Sequence, residues 1–395
     1  MNRRLLLRSA LYSATAATAL VACDQLKKTG LVDTAIAQAP TVQSPAAAAP
    51  PLQGQPSLKR RAAAKGLLYG AAAQPQILTA EPDFANSFAR ECAILVSENQ
   101  LKWEALRPTP TQFNFAGGDA LLAFAQQHQM LFRGHTLVWH NALPGWFRET
   151  LTRSNARHFL QEHIATVVGR YAGKVHSWDV VNEAIAPEEN RPHGVRNTPW
   201  LELLGADYIQ LAFQMAHQAD PQALLVYNDY GLDYDTVQDA SKRAAVLRLL
   251  ERLKSANVPI HALGMQAHLW GSETRFSPEK LGQFLQQVAD LDLQIFITEL
   301  DVADVELPAN VAERDRLVAD HYRRYLDIVL AQPAVTAVLT WGLSDRHTWL
   351  TSFQPRPDGL PVRPLPLDRQ LRRKPAWEAI AAAFDATSVR QLLSI

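Results

Sequence analysis

Apolar residues along this chain come in short unbroken runs rather than in alternation. Eight such runs recur, over residues 67–73, 93–97, 131–137, 175–181, 224–228, 262–268, 294–299 and 335–341. Continuous apolar runs of this length suit parallel strands covered on both faces. Between them, residues 118–129, 155–171, 206–219, 236–256, 278–291 and 311–332 carry apolar positions spaced by three and four, the helical period. Eight strand-like runs with helical segments between them predict a (β/α)8 TIM barrel in the α/β class. The competing architecture, an open doubly wound sheet, calls for a glycine-rich turn after the first strand, and Gly70-Ala71-Ala72-Ala73 holds no such fingerprint.

Ahead of the first run the pattern disappears. From Thr34 through Leu58 no residue is charged, Ala, Pro, Gln and Ser prevail, and no aromatic stands between Tyr12 and Tyr69. Such a stretch cannot offset its ordering entropy, which predicts a flexible linker over 24–58 and a folded domain over 59–390. Further upstream, Arg3, Arg4 and Arg8 precede an uncharged run from Ser9 to Ala22. That run is too short to span a bilayer as a mature helix and suits an export signal over 1–23. Leu20-Val21-Ala22-Cys23 resembles a bacterial lipobox, and Asn2-Arg3-Arg4-Leu5-Leu6-Leu7 resembles a twin-arginine signal. Cys23 is therefore the lipidation candidate. Ala37-Gln38-Ala39 offers a competing cleavage site, with Pro40 unfavourable directly after it. The expected location is periplasmic or cell-surface and lipid-anchored, or secreted.

Composition narrows the partners. With 47% hydrophobic and 20% charged residues, a chain of 395 can bury a large core. Lys plus Arg (39) balances Asp plus Glu (39), so no net field draws nucleic acid or an anionic membrane surface. Attachment to a membrane is expected only through a lipid on Cys23, and a neutral polymer fits the balance. Cys23 and Cys92 lie in regions of different character and suggest neither a disulfide framework nor a metal site. Cys92 reads as a small buried apolar residue.

In a barrel, polar residues at the carboxyl ends of the strands converge on one mouth. Here the successive ends read Ser97-Glu98-Asn99 leading to Lys102-Trp103, then His135 to His140 with Trp139, Asn182-Glu183, Asn228-Asp229-Tyr230, Gln266-Ala267-His268, Glu299-Leu300-Asp301, and Trp341. Glu299 ends the seventh run and Glu183 follows two residues after the fourth, and a carboxylate pair in a cleft is what glycosidic bond cleavage uses. Strand alternation puts Glu299 and Asp301 on one face, and Gln266 and His268 likewise. Asn182 and Glu183 are adjacent, so both reach the mouth only if their strand ends or bends there. For each residue alone the plain alternative is a cap, a strand-end hydrogen bond or a solvated rim. Trp139 and Trp349 could be ordinary packing and Lys102 a surface ion pair. Seven consecutive polar or aromatic strand ends favour a site.

Gly134-His135-Thr136-Leu137-Val138-Trp139-His140, Asp179-Val180-Val181-Asn182-Glu183-Ala184, Gly264-Met265-Gln266-Ala267-His268-Leu269 and Ile297-Thr298-Glu299-Leu300-Asp301 together resemble glycoside hydrolase family 10, the endo-1,4-β-xylanases. The likeness covers almost everything after Lys59, in order and one motif per strand. It implies a retaining glycosidase with Glu183 as general acid/base and Glu299 as nucleophile, their carboxyl groups roughly 5 to 5.5 Å apart. Those roles require surroundings that push the two pKa values apart. It further implies that His268 donates to Glu299 while Asp301 orients His268. Glu98, Asn99, Lys102, His135, Trp139, Asn182, Trp341 and Trp349 then bind sugar, supported by Asn228 and Gln266. Neutral amides suit hydroxyls, indole faces suit pyranose rings, and Asn182 is placed for the 2-hydroxyl of the reacting sugar. The implied partner is xylan or a xylo-oligosaccharide, with no cofactor and no metal, and the protein is expected to be a monomer.

Some positions depart from that pattern. Asn141-Ala142 stand where the family commonly has a glutamine, Arg107-Pro108 where many relatives have Glu-Pro, and Gly231 where asparagine is usual. These bear on subsite preference rather than on the reaction. Two other enzymes compete with the resemblance. A barrel glucanase or cellulase would differ in how tightly Trp341 and Trp349 close over the sugar C5 substituent. A metal-dependent hydrolase would need His135 and His140 together, yet five residues apart they are expected on opposite faces. A tethered carbohydrate-binding protein without catalysis would most simply have lost Glu183 or Glu299, and both are present.

Overall fold

The Ser57 side chain accepts a hydrogen bond from the Arg60 amide and starts the first helix, Leu58–Ala63. The structure, a computed structural model, describes residues 55–390. The export signal, Cys23 and most of the expected linker lie outside the described residues. Leu58 is fully buried, and its amide donates to Glu91 Oε2 at 2.9 Å. Ser57 and Leu58, just ahead of the expected Lys59, thus already take part in the packing. A single apolar residue after a polar stretch has no period to betray it.

The strands are β1 (Leu68–Ala73), β2 (Ile94–Ser97), β3 (Leu131–Val138), β4 (Ser177–Asn182), β5 (Leu224–Asp229), β6 (Ala262–Met265), β7 (His268–Trp270), β8 (Gln294–Ala303) and β9 (Val335–Thr340). All pair in parallel, β1 lies between β2 and β9, and β6 pairs with β8. The sheet therefore closes on itself. The run 262–268, expected as one strand, is two pieces because Ala267 adopts φ +59°. β6 pairs with the first half of β8 and β7 with the second, His268 facing Asp301. The two pieces act as one stave, and the (β/α)8 barrel holds.

The six expected helices are present as Ala116–Gln127, Ala156–Tyr171, Tyr208–Ala219, Val237–Ser255, Pro278–Ala289 and Val311–Val329. Thr236, Ser277 and Asn310 cap three of them, each accepting from the amide three residues on. Pro375–Ala386 closes the last unit, and its Trp377 donates to Glu91 Oε2 at 3.1 Å. Since Glu91 also holds Leu58, one buried carboxylate joins both ends of the domain. Alternate strand positions, among them Ile94, Val96, Leu224, Val226, Phe296 and Leu339, form a cluster of their own inside the barrel, and Trp341 is its member at the β9 end.

Candidate active site

Glu183 and Asn182 reach the mouth together because the strand gives way. The register of β4 against β5 shifts between Asp179 and Val181, β4 ends at Asn182, and Glu183 adopts φ +58°. A non-glycine residue in this left-handed region costs about 1 to 3 kcal/mol, and such residues cluster at active sites. The Glu183 amide bonds the Asn228 carbonyl at 2.9 Å, and Arg196 Nε donates to the Glu183 carbonyl at 2.7 Å. The backbone is thus held on both sides. At the side chain, Asn182 Nδ2 (3.1 Å) and Gln266 Nε2 (3.0 Å) both donate to Oε1.

Glu299 is placed differently. β8 continues without a break to Ala303, with a slip of register against β9 between Ile297 and Leu300, and Glu299 and Asp301 stand two residues apart on it. His268 bridges them, donating through Nε2 to Glu299 Oε2 at 3.1 Å and through Nδ1 to Asp301 Oδ1 at 2.9 Å. Asn228 Nδ2 donates to Glu299 Oε1 at 2.8 Å and to Asn182 Oδ1 at 2.9 Å, while Thr298 Oγ1 donates to Asn228 Oδ1 at 2.7 Å. Burial by itself would raise the Glu299 carboxyl, but the His268 hydrogen bond, the charges of His135 and His268 and the Asn228 amide lower it to about 2. Burial likewise opposes charge on His268, and the Asp301 and Glu299 carboxylates override it, raising the imidazole to about 10. The result is an imidazolium clamped between two carboxylates. Trp349 Nε1 occupies the other Asp301 oxygen at 2.7 Å.

The remaining expected residues gather around this pair. Lys102 Nζ lies 5.1 Å from the Trp139 ring centre and 5.9 Å from that of Trp341, and donates to Asn99 Oδ1 at 3.0 Å. Asn99 Nδ2 reaches Glu98 Oε1 at 3.4 Å, and Asn99 is the most exposed of the set. Burial lowers the Lys102 pKa while Glu299, Glu98 and Glu183 pull it back up, so this ammonium lies in the field of both glutamates. His135 meets Trp341 edge-on with ring centres 5.3 Å apart. One expectation needs correcting. Gln266 and His268 do not alternate along one strand, because Ala267 breaks it; Gln266 turns to Glu183 and His268 to Glu299.

Sequence reasoning assigned no role to Asp179, Arg133 or Arg196. Asp179 Oδ2 bonds His135 Nδ1 at 2.9 Å, and its other oxygen pairs with Arg133, which also donates to Ser177 Oγ at 2.9 Å. For Arg133 and Asp179 a charge inside an apolar run was the available signal, since a buried charge needs a partner; Arg196 lies in no such run. Arg107 turns out to be scaffold. Its guanidinium lies 4.8 Å from the Phe113 ring centre and 4.9 Å from that of Phe159, pairs with Glu162, and donates through Nε to the Pro110 carbonyl at 3.0 Å. It belongs to an aromatic box, so its departure from Glu-Pro does not bear on sugar binding. Ala142 takes φ +51° and accepts the Glu104 amide through its carbonyl at 2.9 Å, leaving only a methyl where a glutamine is usual. Gly231 sits at φ +68°, a conformation glycine adopts without penalty.

The chain is similar to known proteins over most of its length. The profile of Glycosyl hydrolase family 10 matches residues 57–383. Endo-1,4-beta-xylanase B of Paenibacillus barcinonensis is 36% identical over 331 residues, covering 80% of this chain and 96% of that protein. Beta-1,4-xylanase of Dictyoglomus thermophilum is 36% identical over 310 residues, covering 75% of this chain and 84% of its own. Among solved structures, xylanase 10B from Thermotoga petrophila RKU-1 in complex with xylobiose superposes with a TM-score of 0.76 at 32% identity, covering 84% of this chain and 98% of that one. With the family profile spanning most of its length and close relatives covered almost end to end, this chain belongs to glycosyl hydrolase family 10.

Proposed function

We propose that the protein is an endo-1,4-β-xylanase that hydrolyses internal β-1,4-xylosidic bonds of xylan by double displacement with retention. The named relatives are xylanases, and one structural neighbour was solved with xylobiose. In the first step the Glu299 carboxylate attacks the anomeric carbon while Glu183 gives its proton to the glycosidic oxygen, and the aglycone chain leaves. In the second step Glu183, now a carboxylate, takes a proton from water, whose oxygen attacks the anomeric carbon and releases Glu299.

The observation that carries this division is the unlike surroundings of the two glutamates. Glu299 is bonded to an imidazolium and an amide, which suits a nucleophile that must be ionised. Glu183 receives two neutral amide N–H groups, both on Oε1. That leaves Oε2 as the oxygen that carries and transfers the proton. Product analysis on xylan and mixed-linkage glucan in parallel tests the substrate: oligosaccharides from xylan alone are expected, and equal rates on glucan would reject the reading. Proton NMR of fresh products tests the stereochemistry, with the β-anomer appearing first.

We also infer export of the enzyme, with Cys23 as its lipidated first residue, on the strength of the lipobox-like and twin-arginine-like segments. In a bacterial host the enzyme should fractionate with membranes and Cys23→Ser should release it. Unchanged fractionation of that variant would exclude the anchor.

A further inference from the structure

The peptide of Glu183 is bracketed by two residues of the neighbouring stave. Asn228, in β5, accepts the Glu183 amide directly at 2.9 Å, whereas Tyr230, just beyond β5, is reached through Arg196. Arg196 Nε donates to the Glu183 carbonyl at 2.7 Å, and its Nη2 donates to the Tyr230 hydroxyl at 2.7 Å. One planar guanidinium spans both partners. The Arg196 amide also donates to the Ala184 carbonyl at 2.7 Å, so the same residue grips the two successive peptides that begin at the glutamate. Between these points the chain makes a closed excursion, in which Ile185 bridges Val195 and the Ala186 amide donates to the Gly194 carbonyl at 2.8 Å. Arg196 is where it returns to its base.

Ordinary ion pairing does not account for this guanidinium. Arg196 is buried, yet the carboxylate it reaches, Glu189 Oε1, lies 4.0 Å from Nη1. Asp229, whose charge also acts on Arg196, is engaged by Lys242 Nζ at 2.7 Å, by the Tyr227 hydroxyl and by the Tyr230 amide. A buried charge costs free energy unless its surroundings compensate it. Here the short hydrogen bonds go to a phenol and to the backbone of Glu183, whose φ is +58°. A left-handed φ at a non-glycine residue persists only where the structure around it over-determines it. Arg196 supplies that constraint from the carbonyl side.

We propose that Arg196 is a positioning residue for the general acid: by tying the Glu183 carbonyl to the end of β5, it sets where the Glu183 carboxyl stands. This rests on the reading of Glu183 as the acid given above. Released at its carbonyl, the Glu183 peptide can relax toward an unstrained φ, and the carboxyl then leaves the Asn182 and Gln266 amides that address it. The nucleophile is not part of this linkage. Arg196 bonds Glu183, Ala184 and Tyr230, while Glu299 takes its hydrogen bonds from His268 and Asn228.

The test measures kcat/KM of the full chain on aryl β-xylobiosides graded from a dinitrophenyl to a phenyl leaving group. Arg196→Met keeps length and loses every donor, so it should cost about 10- to 100-fold on the phenyl glycoside, the scale of a catalytic group displaced by an ångström. On the dinitrophenyl glycoside, whose leaving group needs no proton, it should cost almost nothing. Arg196→Lys keeps the charge but cannot fork to carbonyl and hydroxyl at once, and should fall between Met and wild type. Should Met not fold, the slope of the Lys variant decides in the same way. In a Glu183→Ala background Arg196→Met should add no further loss, because the group it positions is gone. A loss equal on all leaving groups, no loss at all, or a loss undiminished in the Glu183→Ala background would overturn the proposal and mark Arg196 as plain scaffold. A Glu183→Ala variant that itself shows no dependence on the leaving group would reject the acid assignment, and this role of Arg196 with it.

Discussion

The end of β4 and the end of β8 deliver the same functional group by opposite means. Glu299 lies inside a strand that continues through a slip of register to Ala303, while Glu183 lies one residue past a strand and owes its direction to a left-handed backbone. Their partners differ as sharply. A carboxylate–imidazolium relay ending in Asp301 and the Trp349 N–H addresses Glu299; two carboxamides address Glu183. The difference shows how one cleft keeps two chemically identical side chains in different roles. Charge is spent where an anion must persist, and neutral donors are used where a proton must come and go.

The largest expected effects test this division directly. Glu299→Ala should reduce hydrolysis of every substrate by roughly 10^4-fold or more, because no attacking group remains. Glu183→Ala should cost about 10^2- to 10^4-fold on xylan, whose leaving group needs a proton, and far less on activated aryl xylosides. Rates measured across a leaving-group series decide it. Equal loss on all substrates for Glu183→Ala, or wild-type hydrolysis of xylan by either variant, would dissolve the distinction between the two ends.

Asp301→Asn should come next. Asp301 is the largest influence holding His268 charged against burial, so its neutralisation removes the imidazolium that keeps Glu299 at about 2. The nucleophile then protonates at higher pH, and the acid limb of kcat/KM should move upward, with kcat falling about 10- to 100-fold. Stability should respond in the opposite pH range. His268 is raised from 6.5 to about 10 in the folded protein, so its contribution is fully present below 6.5 and lost as pH rises through about 10. The gap in Tm between wild type and His268→Asn should therefore narrow over that window. A constant gap would mean that His268 is not an imidazolium in the free enzyme.

How much of this could be read from residues alone follows the same contrast. Glu299, Asp301 and the straight strands were legible because period two and unbroken apolar runs are written in residue types. The helices with long apolar periods were legible too. The break at Ala267 was not, since an alanine at positive φ leaves no trace in composition, and the split of one stave into β6 and β7 went unseen with it. The helix Pro82–Glu91 begins with a proline at its first position, a signal that a search for apolar periodicity passes over. Arg133 and Asp179 are 46 residues apart, so their pairing exists only once β3 and β4 are neighbours. Arg107 looked like a changed subsite residue because position in a motif says nothing about which way a guanidinium points.

The smallest expected effect is the sharpest probe of the β4 end. Gln266 reaches Glu183 across the break at Ala267 and shares Oε1 with Asn182; its amide also touches Asn182 Oδ1 at 3.3 Å. Gln266→Ala removes one of two donors from an oxygen that keeps the other, so the loss should be that of a single neutral hydrogen bond, about 1 kcal/mol or 5-fold in kcat/KM. Its pattern matters more than its size. Because Gln266 addresses only the acid end, the loss should grow with the basicity of the leaving group and nearly vanish for activated aryl xylosides. Asn228→Ala should show no such slope on the nucleophile's side, since Asn228 Nδ2 bonds Glu299 at 2.8 Å and acts in glycosylation whatever group departs. Equal leaving-group slopes for the two variants would show that the amides form one shared network through the Asn182 and Asn228 contact, and that the two ends are less independent than their separate partners imply.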